Sequence, residues 1–335
     1  MRPVRIAQIG TSAYSHGDGI FKTLKKLPED FEIAGVALPE GEREKFPDRM
    51  PTFDLFREMT VDEILSDPSI DAVAVETEEV YLTRYALAVA RAGKHIHMEK
   101  PGSQSRADFK QLIETVRQNK TVFHIGYMYR YNPMIRELFE EIDRGELGQI
   151  VSVQAQMSGD QPPELRQWLT NFRGGEMFYL GCHLVDLVYR ILGQPEKVIP
   201  LNTRTGLDGT AGEDLALAVL TYKNALATVR SDANQRGGYP LRELAVTGSK
   251  KTVVLCPLEM RCPGGQNTTR RDLTSDDWFD LGTCRTGEPM HRYRGMMQAF
   301  AAMCRGELEN PYSLDYEQAL FDLILDCCGV EGGNA

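Results

Sequence analysis

Several features are scarce or absent in this chain, and each absence excludes a class of protein. The 335 residues contain seven cysteines, which are scattered and form no Cys-x-x-Cys pair. This pattern argues against a disulfide framework and against a zinc site, and it is typical of the reduced thiols of cytoplasmic proteins. No apolar run is long enough to cross a bilayer, so the sequence predicts no membrane partner. We therefore expect a cytoplasmic protein without a metal site.

Positive charge is also scarce. Lysine and arginine number 38 against 48 acidic residues, which gives a formal net charge of −10. An acidic chain repels phosphate backbones and anionic lipids, so we expect no nucleic-acid partner. The start of the chain lacks the apolar core of a signal peptide, because residues 1–3 lead directly into a strand pattern.

The first 125 residues contain an alternation of strand and helix patterns. Thr60 and Glu63 have the spacing of a capping box, and Ser105 precedes another helical pattern. Repeated strand–helix units predict a doubly wound parallel sheet with right-handed crossovers. The predicted strands span residues 4–9, 31–38, 70–75, 95–98 and 122–126.

The second half has a different pattern, with strands that follow one another directly. Such strands predict an antiparallel sheet, and Lys223-Asn224 indicates a hairpin turn. At this length two domains are expected, at 1–125 and 126–335. We predict helices at 133–144, 176–192, 293–305 and 314–328, a polar loop at 158–173, and strands at 150–157, 215–222, 225–232, 241–247 and 252–256.

The turn after the first predicted strand is a candidate site for a dinucleotide. Gly10 ends the strand and a helical pattern follows, which is where such folds hold a pyrophosphate with backbone N–H groups. Of the G-x-G-x-x-G fingerprint only this first glycine is present, and Ser12 stands at the second position. Gly10, Thr11 and Ser12 are candidate cofactor ligands, and a plain structural loop is the alternative.

The acid that holds the adenosine ribose is expected at the end of the second strand. Leu38 occupies that position, and Glu40 lies two residues later, within reach of the ribose. The alternative is that residues 40–45 begin a solvated, charged helix. Arg43 is compatible with a 2′-phosphate, so the choice between NAD and NADP is open.

Lys100 is the strongest candidate for chemistry. The tripeptide Glu99-Lys100-Pro101 follows a predicted strand, at a turn that the proline enforces. A lysine beside a cofactor can transfer a proton or donate a hydrogen bond to a substrate hydroxyl, and Glu99 can anchor its loop. Taken alone, the tripeptide is better explained as an exposed turn.

A polar stripe on an otherwise apolar helix strengthens the catalytic interpretation. Tyr179, His183 and Asp186 stand at i, i+4 and i+7, which places them on one helix face. Burying three polar groups costs free energy unless they find partners, and a polar substrate would supply them. The alternative is a core histidine that other protein groups satisfy.

A third candidate segment, residues 126–133, leaves the last strand of the first half. Tyr127 is a candidate substrate contact, while Arg130 and Asn132 offer donors for cofactor or sugar hydroxyls. The alternative is a connecting turn in which Asn132 caps the next helix and Pro133 begins it. Both explanations can hold together.

With these residues in view, the chain resembles the Gfo/Idh/MocA family of nicotinamide-dependent oxidoreductases over nearly its whole length. Each motif alone is unspecific, whereas their combination in this order is specific. The resemblance rests on the Gly10 turn, Thr77 after the third strand, residues 92–95 leading to Glu99-Lys100-Pro101, residues 130–133, and residues 174–186.

The resemblance implies an N-terminal Rossmann domain that binds NAD or NADP, and a C-terminal α/β domain whose open sheet forms homodimers or homotetramers. It implies oxidation or reduction of a sugar, cyclitol or related polyol. Lys100 and His183 would be the catalytic pair, and both would also bind the substrate. Thr77, Glu99, Lys100 and Arg130 would contribute to the cofactor site.

The chain departs from the family pattern in two informative places. Tyr179 stands where the family often has an aspartate, so it is a second candidate for proton transfer with a much higher ordinary pKa. Glu78 and Glu79 replace the family's Pro-Asn, and two carboxylates near a pyrophosphate would repel it unless they face away.

Two other functions are compatible with these departures. The first is an oxidation–elimination enzyme, a lyase or deglycosylating activity that retains its NAD through each turnover. The second is a ligand-binding or regulatory homologue that has lost the cofactor.

Overall fold

The computed structural model describes residues 2–331. Its first part is an alternation of strands and helices, as predicted. The capping box of Thr60 and Glu63 is confirmed, and the Ser105 side chain accepts the Asp108 N–H at the start of its helix. The elements are β1 (Val4–Ile9), α1 (Gly17–Leu24), β2 (Phe31–Ala37), α2 (Glu42–Lys45), α3 (Val61–Ser66), β3 (Ala72–Val75), α4 (Glu79–Arg91), β4 (His95–Met98), α5 (Arg106–Asn119) and β5 (Phe123–Ile125).

The five strands form one parallel sheet in the order β2-β1-β3-β4-β5. All four residues of β3 are buried, as expected for a parallel strand that is covered on both faces. Strand β2 lies on one side of β1, and β3 lies on the other side. The carboxyl ends of β1 and β3 therefore lie at the topological switch point, where such sheets bind ligands. Gly10 directly follows β1 at this edge. Thr77 lies two residues after the end of β3, and Lys100 lies two residues after the end of β4.

The remaining elements are α6 (Pro133–Asp143), β6 (Ile150–Gln156), α7 (Pro163–Trp168), α8 (Cys182–Leu192), β7 (Lys197–Pro200), β8 (Leu215–Tyr222), β9 (Ala225–Asp232), β10 (Glu243–Gly248), β11 (Thr252–Leu255), β12 (Met260–Cys262), β13 (Gly265–Asn267), β14 (Thr269–Leu273), β15 (Thr283–Thr286), α9 (Arg294–Cys304) and α10 (Leu314–Cys327). In the described part of the chain they include an eight-stranded second sheet, a separate two-stranded sheet of β12 and β13, and five α-helices, of which α9 belongs to the same unit as the parallel sheet.

This second sheet is mixed and mainly antiparallel. Its eight strands have the order β15-β14-β11-β10-β6-β9-β8-β7, and only the β6–β9 pair is parallel among the pairings in the described residues. The hairpin at Lys223-Asn224 is confirmed by the pairing of Tyr222 with Ala225. Buried and partly exposed residues alternate along β8 and β9, so one face of the sheet is covered and the other is open.

One prediction for the second half is wrong, and five strands were not predicted. Residues 158–173 are not all loop, because α7 forms there and is held by packing of Leu165 and by the ion pair between buried Arg166 and Asp208. The strands β7 and β12 to β15 were not predicted, since they are short and several are polar.

The chain divides into two units, one with Met1–Met128 and Tyr293–Gln318, the other with Tyr129–Arg292 and Ala319–Ala335. In the first unit, Phe300 of α9 stacks on His124 of β5, with ring centroids 5.3 Å apart. Arg305 also pairs with Asp30, at 3.3 Å. Residues far apart in sequence therefore complete the first unit.

Across residues 2–331, no helix has both the length and the apolar character that a membrane span requires. In the same range, no group of three or more His, Cys, Asp or Glu side chains is arranged to hold a metal ion.

Candidate active site

The turns after β1 and β3 pack directly on each other. Gly10 has a φ of +89°, and a Cβ atom there would lie 2.4 Å from Cγ2 of Thr77. The Gly10 N–H donates to the Ala37 carbonyl at 2.7 Å, which also fixes the end of β2 beside this turn. Only glycine fits this close approach, so the structure brings together Gly10 and Thr77, two of the predicted cofactor ligands.

The residues after Gly10 form a buried polar turn. The Thr11 N–H donates to a carboxyl oxygen of Glu42 at 3.0 Å, and the Ser12 N–H donates to Oγ of Ser15 at 3.1 Å. Oγ1 of Thr11 and Oε1 of Glu42 are buried and have no hydrogen-bond partner among the described residues. Buried polar atoms normally have partners, so these two fit the hydroxyl groups of a bound ligand such as a dinucleotide ribose.

Glu40, which we expected beside the ribose, is engaged elsewhere. Its carboxylate accepts hydrogen bonds from Arg84 and, at 2.6 Å, from the Tyr85 hydroxyl. The Tyr85 hydrogen bond is the largest cause of the lowered pKa of Glu40. Glu40 and Gly41 both have left-handed backbone conformations, so the chain reverses there and Glu42 returns to the turn. A role of Glu40 in cofactor binding stays a prediction.

Lys100 is buried, with 2% of its surface exposed, so the alternative of an exposed turn lysine is wrong. Its Nζ lies 3.7 Å from Oε1 of Glu99. The other oxygen, Oε2, lies 3.0 Å from Nδ1 of His16 and accepts the His16 backbone N–H at 3.3 Å. Burial acts to raise the pKa of Glu99, but the charge and hydrogen bond of His16 outweigh it and lower the pKa to about 2. Glu99 is therefore a fixed anion beside the lysine.

Two further glutamates are fully buried at the same edge. Burial raises the pKa of Glu79 to about 8, and burial together with the Glu99 charge raises the pKa of Glu76 well above its ordinary value. Glu79 is then uncharged near neutral pH, which reduces its part of the repulsion of a pyrophosphate that we expected from Glu78 and Glu79.

Two buried histidines continue this polar network into the sheet. Nε2 of His97 lies 3.4 Å from Glu76, and Nδ1 of His97 lies 2.7 Å from Nδ1 of His124. Burial lowers the pKa of His97 to about 4, so its imidazole is neutral. The buried His97 imidazole therefore belongs to a polar network and is not only a packing residue.

The second unit holds the other predicted catalytic residue. His183 lies on α8, is buried, and meets the ring of Tyr129 edge-on with centroids 5.5 Å apart. Residues 176–192 are helical as predicted, but Met177–Gly181 forms a π-helical turn before α8. Tyr179 lies in this turn, so the α-helical spacing that we assumed between Tyr179 and His183 does not apply. Its ring packs edge-on against Trp168, with centroids 5.5 Å apart.

Arg130 and Asp186, predicted for cofactor and substrate respectively, form one buried ion pair. Nε and Nη2 of Arg130 donate to Oδ1 of Asp186 at 3.0 and 2.8 Å. Because Asp186 lies about one turn after His183 on α8, this pair fixes the helix that carries the histidine. Direct contacts of Arg130 or Asp186 with ligands stay predictions.

The segment 126–133 has the structural role that we considered as the alternative. Oδ1 of Asn132 accepts the Met134 N–H at 3.0 Å and caps α6, which Pro133 begins. The Asn132 amide donates to Oγ1 of Thr268 at 2.8 Å. Tyr127 is buried. Substrate contacts of Tyr127 and Asn132 stay predictions.

Three residues of this polar edge were not predicted as site residues from the sequence: Glu42, Glu76 and His16. Glu42 lies in the charged run 40–45, for which a solvated helix was one of two interpretations, and Gly41 inside this run indicates a chain reversal. Glu76 directly follows a buried strand, which is a common position for ligand-binding residues in parallel sheets. No local signal in the sequence pairs His16 with Glu99, since 83 positions separate them.

Comparison with known proteins gives matches in both halves. Residues 4–127 match the oxidoreductase family with an NAD-binding Rossmann fold, and residues 135–254 match the GFO/IDH/MocA C-terminal domain. Myo-inositol 2-dehydrogenase of Thermotoga maritima is 28% identical over 193 residues, which cover 56% of this chain and 57% of that protein. 1,5-Anhydro-D-fructose reductase of Ensifer adhaerens is 24% identical over 178 residues, which cover 52% and 54%. The chain thus spans little more than half the length of these relatives.

A solved structure supports the fold over the whole chain. Levoglucosan dehydrogenase, in complex with NADH and levoglucosan, has a TM-score of 0.77 at 18% identity and covers 98% of both chains. The predicted fold class is confirmed: a parallel Rossmann sheet and a mainly antiparallel second sheet.

Proposed function

The chain belongs to the Gfo/Idh/MocA family of oxidoreductases, and from this premise we propose that it transfers a hydride between a nicotinamide cofactor and a sugar, cyclitol or related polyol. The observation that carries the proposal is the burial of Lys100 next to Glu99 at the carboxyl edge of the parallel sheet. Such sheets bind their ligands at this edge. The named relatives, which include an inositol dehydrogenase and an anhydrofructose reductase, support the substrate class.

The proposed cofactor ligands lie on the turns that follow β1 and β3. Gly10, Thr11 and Ser12 would hold the diphosphate and ribose side of the dinucleotide, and Thr77 would line the same place. The close approach of Gly10 to Thr77 and the unpartnered Thr11 hydroxyl support this assignment. When it is bound, the nicotinamide ring accepts or supplies the hydride.

Side chains of the protein bind and transfer the proton of the reacting hydroxyl. Lys100 binds this hydroxyl and transfers its proton, and the Glu99 carboxylate favours the positive charge that Lys100 carries in the process. His183 is the second proposed proton carrier, with Tyr179 as a further candidate. The Arg130–Asp186 pair holds α8 and thereby positions His183.

Purified protein should reduce NAD or NADP in the presence of at least one member of a panel of inositols, pyranoses and anhydrosugars. The measurement is the absorbance of the reduced nicotinamide. Copurified NAD with substrate cleavage and no net reduction would instead establish the oxidation–elimination reaction. Absence of binding to all four nicotinamide dinucleotides in calorimetry would contradict the proposal and favour a ligand-binding homologue.

We also propose that residues 1–125 carry the cofactor, and that residues 126–335 carry the substrate and the contacts between subunits. The family matches over 4–127 and 135–254 support this division. A cytoplasmic location belongs to the same proposal, and the free thiols of all seven cysteines support it.

The open face of the second sheet is the proposed surface of a homodimer or homotetramer. Leu217 and Val219 on β8 and Leu226 on β9 lie on this face, and Leu226 is 47% exposed. We expect light scattering to give a dimer or tetramer, and we expect Leu226→Glu to shift it toward monomer because a buried carboxylate would be unpaired. Leu308→Glu, at an exposed leucine of the first unit, is the matched control and should leave the mass unchanged. A monomeric wild-type protein would contradict this surface.

A further inference from the structure

We propose that Glu42 selects the cofactor: its carboxylate binds the hydroxyl pair of the adenosine ribose, so the protein uses NAD in preference to NADP. This inference rests on the proposed function, since it names the residue that reads the dinucleotide at the proposed site. In dinucleotide-binding folds, an acidic residue at the end of the second strand commonly binds the ribose. In this chain the expected position is occupied by Leu38.

The placement of Glu42 is the first argument. Gly10 N–H bonds to the Ala37 carbonyl, so the ends of β1 and β2 lie side by side. Glu42, five residues beyond Ala37 in sequence, is 1% exposed, and it accepts the Thr11 N–H at 3.0 Å. Its carboxyl group therefore stands at the first residue of the turn that follows Gly10, where dinucleotide folds hold the ribose and the adjoining phosphate.

The second argument is the pair of buried atoms without partners. Oε1 of Glu42 and Oγ1 of Thr11 have no hydrogen-bond partner in residues 2–331. A buried acceptor without a donor costs free energy until a donor arrives. A ribose diol presents two hydroxyl donors, and a carboxylate is the group that accepts both.

The neighbouring acids are occupied or differently placed. Glu40 accepts from Arg84 and Tyr85. Oε2 of Glu78 lies 4.0 Å from Nζ of Lys45, with which it forms an ion pair. Among the acids that follow β2, Glu42 therefore has the buried, unpartnered oxygen that the ribose requires.

The charges around Glu42 disfavour a 2′-phosphate. Recognition of that group needs cations, and the nearby arginines are engaged, Arg43 with Glu58 and Arg84 with Glu40. The charged groups that act on Glu42 are Glu78 from the segment before α4, Glu40 from the turn before α2, and Lys45 from α2 itself. A 2′-phosphate at this position would meet more carboxylates than free cations.

Binding should also be coupled to a proton. Burial raises the pKa of Glu42 to about 9, against the lowering effect of the Thr11 N–H. The ligand-free side chain is then protonated near neutral pH, whereas ribose hydroxyls donate to the ionised form and favour it. Binding of NADH below about pH 9 therefore releases a proton, and the affinity should rise with pH up to that value.

The test is a calorimetric titration of NADH and NADPH into the wild type, Glu42→Gln and the control Glu44→Gln, an exposed glutamate of the same helix. We expect the wild type to bind NADH at least roughly 10-fold more tightly than NADPH. Glu42→Gln should weaken NADH binding roughly 10- to 100-fold, as for loss of a charged hydrogen-bond partner, and should bring the two affinities together. Glu44→Gln should bind both dinucleotides like the wild type.

Several results would overturn the assignment. Tighter binding of NADPH by the wild type would do so, as would unchanged NADH binding in Glu42→Gln or the expected loss appearing in Glu40→Gln instead. A measurement on the wild type does not depend on whether a variant folds. The affinity of the wild type for NADH should increase several-fold from about pH 7 to about pH 8, and equal NADH affinities at the two pH values would contradict the role of Glu42. Binding of neither dinucleotide would remove the proposed function together with this inference, whereas tight binding of NADPH alone would remove only the inference.

Discussion

Lys100→Met is expected to lower kcat for polyol oxidation by roughly 10²- to 10⁴-fold, the range that a positioned acid–base group supplies. Methionine keeps much of the side-chain volume but removes the ammonium group beside Glu99, so the reacting hydroxyl loses its proton carrier. NADH binding should change only a few-fold, because the proposed ribose and diphosphate ligands are on other turns. The measurement is steady-state kinetics with the best substrate of the panel, together with a cofactor titration.

The chain offers a matched control in Lys94. This lysine is also buried, and its Nζ donates to the carbonyl groups of Asp67 and Ile70 at 2.6 and 3.0 Å. Lys94→Met should therefore lower the free energy of unfolding while leaving kcat unchanged. If both variants lose turnover in proportion to their loss of stability, the catalytic role of Lys100 is contradicted.

Combining Lys100→Met with His183→Asn sharpens the test. Two residues that act on one proton give effects that do not add, so the double variant should be little slower than the slower single variant. Multiplicative losses would show that the two residues act in separate steps.

The free energy of unfolding of the ligand-free protein is expected to fall as pH rises from about 5 to about 8. Glu79 keeps its proton in the folded state over most of this window, whereas the unfolded state releases it above about pH 4.5. The raised pKa of Glu76 acts in the same direction. For Glu79, burial raises the pKa from 4.5 to about 8, so its contribution is unfavourable and grows across that window. Each such group lowers stability by about 1.4 kcal/mol per pH unit.

Other buried groups act at lower pH and set the position of the maximum. The lowered pKa of Glu99, about 2, contributes stability that is fully present above pH 4.5 and is lost as pH falls toward 2. The lowered pKa of His97, from 6.5 to about 4, makes the folded state less stable below 6.5, because the unfolded histidine binds a proton first. The stability maximum should therefore lie near pH 5, because above that pH the losses from the buried glutamates exceed the gain from His97.

Glu79→Gln isolates one part of this effect. The amide has no proton to retain, so the variant should be more stable than the wild type by roughly 3–5 kcal/mol near pH 8, with little difference near pH 5. Urea unfolding at several pH values measures this difference. Glu114→Gln, at an exposed glutamate of α5, is the control and should follow the wild-type curve. A Glu79→Gln curve parallel to that of the wild type would contradict the buried, protonated state.

Much of the fold could be predicted because local patterns and tertiary structure agree. The hairpin of β8 and β9 has alternating apolar residues on both sides of Lys223-Asn224, and its predicted bounds match the structure. The position of Lys100 followed in the same way, because Glu99-Lys100-Pro101 comes directly after a buried strand.

The strands β12 to β15 could not be predicted, because their partners rather than their own residues define them. β15 is fully exposed and is held by pairing with β14, so its sequence carries no apolar alternation. The π-helical turn at Met177–Gly181 likewise has no distinct sequence pattern. It interrupts a segment whose apolar residues have the spacing of a regular α-helix.

The candidate site shows a similar limit for single residues. Glu40 and Glu42 are equivalent in sequence, since both are acids shortly after β2. The left-handed conformations of Glu40 and Gly41 decide which of them enters the turn at Thr11. Such a choice depends on backbone dihedral angles at two positions, which composition and spacing do not determine.

The return of the chain to its first unit at Tyr293–Gln318 limits how the gene can be divided. A fragment that stops after Met128 contains every strand of the parallel sheet but omits α9, whose Phe300 covers His124. That fragment would expose to water the His124 surface that Phe300 covers in the full chain. A stop codon after Met128 would therefore yield an incomplete nucleotide-binding unit. A fragment intended for ligand screening therefore has to include both residues 1–128 and residues 293–318.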